Sequence, residues 1–260
     1  MSVTASGLLR SEIRAVTSLR TWWALGLAPV VIGAFASAVY AGIASSDALS
    51  DVEDVDRFAA LIGLYVTVGS TVLFAAVFGA VHSASDLRHG TATTTYLAAP
   101  RRGQVVAAKI LVSAAVGAAY AVVAVLVSLA SLAVFGRGAL PVDDGLVVAI
   151  CLLGVVVAAL WGVLGCGLGL LMGSPTWAAV AIVAWVPVGE LIVVAVLGGV
   201  GGESAASVLP GAATVGVLAA DRAGESASVL PFSAAVIVLL LWAAAFAAAG
   251  WLRTLRRDLT

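Results

Sequence analysis

Six long apolar runs dominate this chain, at residues 22–44, 58–81, 105–135, 146–172, 177–197 and 232–251. A helix rises 1.5 Å per residue, so about 20 apolar residues cover the ~30 Å hydrocarbon core of a bilayer. Each run meets that length. Only 10% of the residues are charged, whereas a soluble domain carries roughly 25%. Such a chain cannot clothe a water-facing surface. The pattern predicts an all-α integral membrane protein, one domain over 1–260, with six transmembrane helices.

The charges between the runs are segregated by sign. Arg10, Arg14 and Arg20 precede the first run, and Arg88, Arg101, Arg102 and Lys109 flank the gap between the second and third. Arg253, Arg256 and Arg257 follow the sixth, which leaves only Arg57, Arg137 and Arg222 elsewhere. The alternate loops carry acids instead: Asp47, Asp51, Glu53, Asp54 and Asp56, then Asp143 and Asp144. Lys and Arg concentrate on the cytoplasmic side of membrane proteins. Both termini and the 82–104 segment are therefore expected in the cytoplasm. The third run is longer than a bilayer needs, so either its first turns, Lys109 included, project into the cytoplasm or the helix tilts.

Residues 1–21 place Leu9, Ile13 and Val16 at helical spacing with Arg10, Arg14 and Ser18 opposite. That arrangement predicts a short amphipathic helix lying in the membrane interface. At the other end, 198–231 is too apolar for an ordinary loop, yet Pro210-Gly211 divides it into pieces too short to cross. A re-entrant helical hairpin on the extracytoplasmic side, shielded by protein, fits this composition. Within the fifth run, broken by Pro187, Glu190 is the one deeply placed acid. An intramembrane carboxylate is costly and marks a site. It can support the re-entrant segment across the Pro187 kink, or it can line a substrate or proton path. Gly165, Gly169 and Gly173 recur at every fourth residue, which clears one helix face for close packing.

Several chemistries find no support. The chain has no Gly-x-x-x-x-Gly-Lys-Ser/Thr phosphate loop, so it does not hydrolyse nucleotides by that device. No catalytic set or cofactor motif is found. Cys151 and Cys166 lack metal or redox spacing, and no metal is predicted from His82 and His89. Without basic runs interleaved with aromatics, nucleic acid is not an expected partner; membrane lipid is.

The segment from Asp86 to Lys109 stands apart from everything else. Asp86, Leu87, Arg88, His89, Gly90 and Thr91 lead through a Thr-rich stretch to Tyr96, Leu97, Pro100, Arg101 and Arg102. A carboxylate at Asp86 favours a helix start, and Gly90 and Pro100 permit turns. Taken alone, this is either a solvated positive-inside loop or a docking element. Asp86-x-Arg88-His89-Gly90-Thr91, Tyr96-Leu97-x-x-Pro100 and Lys109, in that order, resemble the permease family of ABC-2 type transporters. Ser11-Glu12-Ile13-Arg14, Trp185-x-Pro187-x-Gly189-Glu190 and Leu209-Pro210-Gly211 resemble its N-terminal helix, fifth span and re-entrant segment. Asp86 stands where that family usually has Glu.

The resemblance implies the transmembrane subunit of a bacterial exporter in the inner (plasma) membrane. Two copies of a separate cytoplasmic ABC ATPase would bind ATP and Mg. A second permease subunit would complete the assembly, as a homodimer in preference to a heterodimer. Asp86, Leu87, Arg88, His89, Gly90, Thr91, Arg101 and Arg102 would form the coupling segment against the ATPase. The substrate would be amphipathic, a drug, lipid or peptide. Two rivals remain: an ATP-independent channel bundle with Glu190 in its path, and a membrane anchor subunit of a larger complex.

Overall fold

The computed structural model describes residues 5–18, 20–46, 55–88, 102–136, 145–219 and 229–256. Among them the chain is helical throughout, with no strand. The helices are α1 (Ala5–Ser18), α2 (Thr21–Ala44), α3 (Val55–Arg88), α4 (Arg102–Phe135) and α5 (Gly145–Met172). They continue with α6 (Pro175–Gly199), α7 (Glu203–Ala206), α8 (Pro210–Ala219) and α9 (Phe232–Arg256). Six of these, α2 to α6 and α9, are long and apolar enough to cross a bilayer. The result is an all-α, multi-pass membrane architecture.

Local chemistry explains where the helices stop. Gly173 closes α5 at φ 70°, donating its N–H to Gly169 O at 2.8 Å. A left-handed residue there is the common helix terminator, and glycine takes it without Cβ strain. Ser174 then caps α6, with Pro175 at its first position, where a missing N–H costs nothing. The break expected at Pro187 is a single π-turn, Trp185–Gly189, rather than an open kink. Widening the turn there accommodates a residue that cannot donate to the helical ladder.

α5 is the central column. A Cβ added at Gly165 or Gly169 would collide with the backbone of Ala76 or Ala80 on α3. One at Gly162 would meet Ser113 on α4, and one at Gly167 would meet Phe246 on α9. The missing side chains let four helices approach backbone to backbone, which is how helices associate where lipid removes any hydrophobic drive. Trp161, Ile150, Val157 and Leu170 fill the remaining space and are almost completely buried. Hydroxyls add α2 to this bundle: Ser37 Oγ of α2 lies 2.6 Å from Ser128 Oγ of α4, which also accepts from Thr67 of α3 at 3.0 Å. Outward, α6 exposes Trp177, Val183, Leu191 and Val196, a surface made for hydrocarbon or another apolar chain.

α3 and α4 are each 34 residues long, about 51 Å at the helical rise. Both are longer than a bilayer requires. The 82–104 stretch expected as a loop is helical at both its ends, through Arg88 and from Arg102.

Candidate functional site

Three helices meet through charge just inside the 89–101 connection. Glu12 of α1 sits between Leu8 and Val16 on the buried face, one turn from each, and all three are under 10% exposed. Its Oε2 accepts from Lys109 Nζ of α4 at 3.1 Å. His82 Nε2 of α3 lies 3.3 Å from the same oxygen, without hydrogen-bond alignment. Phe78 stacks on the His82 ring at 5.5 Å and fixes its plane. Burial by itself raises the Glu12 pKa, but His82 and Lys109 outweigh it and hold the carboxyl below its ordinary 4.5.

Lys109 is 3% exposed; an ammonium at that depth is stabilised by a buried carboxylate. Leu9 and Ile13 of the expected apolar stripe are exposed, while Leu8, Glu12 and Val16 face the protein. The signal was present in the i, i+4, i+8 spacing of Leu8, Glu12 and Val16. An acid inside that row needed a cation opposite, and the nearest candidate was Lys109.

The backbone of Asp86, Leu87 and Arg88 completes α3, so Asp86 lies at a helix end and not at the helix start expected of it, and Arg102 opens α4. Their side chains, together with all of His89, Gly90, Thr91 and Arg101, lie outside the described residues. His82 is one turn before Asp86 and Lys109 two turns after Arg102. The Glu12 cluster thus brings the C-terminal part of α3 and the N-terminal part of α4 against α1.

A second polar centre surrounds Glu190, which begins the helical stretch after the π-turn. Glu190 is 5% exposed. Its Oε1 accepts the Ala212 N–H at 2.8 Å. The carboxylate therefore sits on the N-terminal turn of α8, where unpaired N–H groups and the helix dipole favour an anion. Gly211 makes this possible, since a Cβ there would lie 2.7 Å from both oxygens. Oε2 has no hydrogen-bond partner among the described residues. One tryptophan holds the same short helix and a second holds the segment just before it. Trp161 Nε1 donates to Thr214 Oγ1 and Trp242 Nε1 to Val208 O, each at 2.9 Å. α8 spans 10 residues, about 15 Å, too short to cross.

Beside α8, an apolar cavity of about 360 Å³ opens between α5, α6 and α9, walled by Trp161, Trp185, Pro210, Trp242 and Phe246. That volume falls within the ~300–1,000 Å³ of small-molecule sites. Gly165 and Gly169 both pack against α3, whereas Gly173 serves the turn. Among the described residues no group of His, Cys, Asp and Glu gathers to hold a metal ion. No family model matches the chain, and a comparison with curated proteins finds no match.

Proposed function

We propose that this chain is the transmembrane permease subunit of an ATP-driven, ABC-2 type exporter in a bacterial inner membrane, with both termini cytoplasmic. The observation that carries the reading is the Glu12–His82–Lys109 clamp. It ties α1, α3 and α4 into one unit next to the connection between α3 and α4. A push on the 86–102 connection then moves three helices together rather than bending one loop. Such a unit is useful to a protein driven from outside its own chain. A separate cytoplasmic ATPase, in two copies and carrying ATP and Mg, is the driver that the Asp86–Lys109 motif suggests. A second permease subunit covers the exposed apolar faces.

At the far end, Glu190 joins the broken α6 to α8, so movement of α6 is felt at the short helix and at the aromatic cavity beside it. α8 and α7 form the re-entrant segment in this reading. The cavity offers an apolar station for an amphipathic cargo. The test is reconstitution with the ATPase in proteoliposomes. Asp86→Ala with Gly90→Val should leave insertion and ATP hydrolysis intact while transport falls. Full ATP-dependent transport by that double variant would remove the coupling assignment.

A further inference from the structure

A groove of about 180 Å³ runs between α1 and α4, lined by Ile13, Val16, Trp22, Leu111, Ala115 and Val116. It is smaller than an enclosed small-molecule site, and open on one side, so it suits a length of hydrocarbon laid along it. The wall offers no free hydroxyl: Thr17 Oγ1 is bonded to Ile13 O of its own helix at 3.0 Å. Three cations lie beside lining residues of this apolar trough in the sequence, without lining it themselves. Arg10, Arg14 and Arg20 are all exposed, and among the described residues no carboxylate pairs with any of them. Arg10 and Arg14 stand on the α1 flank next to Leu9 and Ile13, and Arg20 lies in the turn immediately before Trp22.

The groove's shape is held from behind. Glu12 pins α1 to Lys109, two helical turns from Val116 on α4, so the trough is a fixed feature and not a gap under a loose helix. Hydrocarbon-lined space beside a cluster of unpaired cations, at the level of an interfacial helix, matches one occupant. We infer that this groove binds a single anionic phospholipid, its acyl chain along α4 and its phosphate among Arg10, Arg14 and Arg20. Basic pockets at the ends of membrane helices recognise such headgroups. The inference rests on the chain lying in a membrane and is independent of any ATPase.

The test is native mass spectrometry of the purified full chain, delipidated and then titrated with phosphatidylglycerol or phosphatidylcholine. The wild type should retain phosphatidylglycerol preferentially. Arg10→Gln/Arg14→Gln/Arg20→Gln should reduce that preference on the order of 100-fold, each basic residue near an anionic phosphate contributing about fivefold. Ala115→Trp, at an exposed position that fills the trough, should weaken retention of both lipids. Equal retention of the two lipids by the wild type would overturn the assignment. So would an unchanged preference in the triple variant, or undiminished retention by Ala115→Trp.

Discussion

Removing one member of the Glu12–Lys109 pair should free α1 from the bundle, and removing both should not. The pair is 3.1 Å apart with Glu12 7% and Lys109 3% exposed. That burial rules out the 0–1 kcal/mol regime of surface ion pairs. Breaking a buried pair costs about 3–5 kcal/mol, because the survivor remains charged in a low-dielectric site. Replacing both with apolar side chains of similar size is often neutral. At 1.4 kcal/mol per decade, Lys109→Met or Glu12→Leu alone should speed amide exchange along α1 on the order of 10²- to 10³-fold. The double variant should return to within about tenfold of wild type. Hydrogen exchange with mass spectrometry, resolved over peptides of residues 5–18, reads this directly. Single variants indistinguishable from wild type, or a double variant whose effect is the sum of the two, would refute the clamp.

The same cluster sets a pH dependence. Because the folded Glu12 pKa lies below 4.5, its contribution is complete above that value and is lost only as pH falls further. Exchange protection of α1 should be flat from neutrality to about pH 4.5 and drop below it; a loss between pH 5 and 7 would contradict the assignment. Gly165→Val, forced against the Ala76 backbone, should lower stability by at least the ~1–3 kcal/mol of overpacking, whereas Gly42→Ala, with nothing near its Cβ position, should be neutral or stabilising. Thermal midpoints in detergent compare the two. Glu190→Gln keeps an acceptor for Ala212 N–H and should leave α8 docked, but Glu190→Leu should cost about 1.5–3 kcal/mol and expose the 210–219 helix to limited proteolysis. Equal proteolysis of both variants would remove the bridge.

The membrane spans were legible because lipid imposes a length on every apolar run, and no tertiary contact can override it. The ends of α3 and α4 were not. Residues 82–88 and 102–104 are polar, and hydropathy marks where lipid stops, not where a helix stops. The partner of Lys109 was not legible either, because a lone cation at a span's end carries no sign of its counter-ion. That partner, Glu12, is 97 residues away in sequence, and only packing brings them together. The aromatic cavity was hidden likewise, because Trp161, Trp185 and Trp242 come from three helices. The link between Glu190 and the 198–231 stretch was one of several readings, and the Ala212 contact now gives it an atomic form.

Affinity purification of the full chain from its native membrane, with identification of what co-purifies, bears most directly on the proposed role. A cytoplasmic ATPase in equal copy number, released when Asp86 and Gly90 are altered, is the expected result. Recovery of this chain alone, with ion flux in purified proteoliposomes that changes in Glu190 variants, would contradict it and leave a channel in the exporter's place.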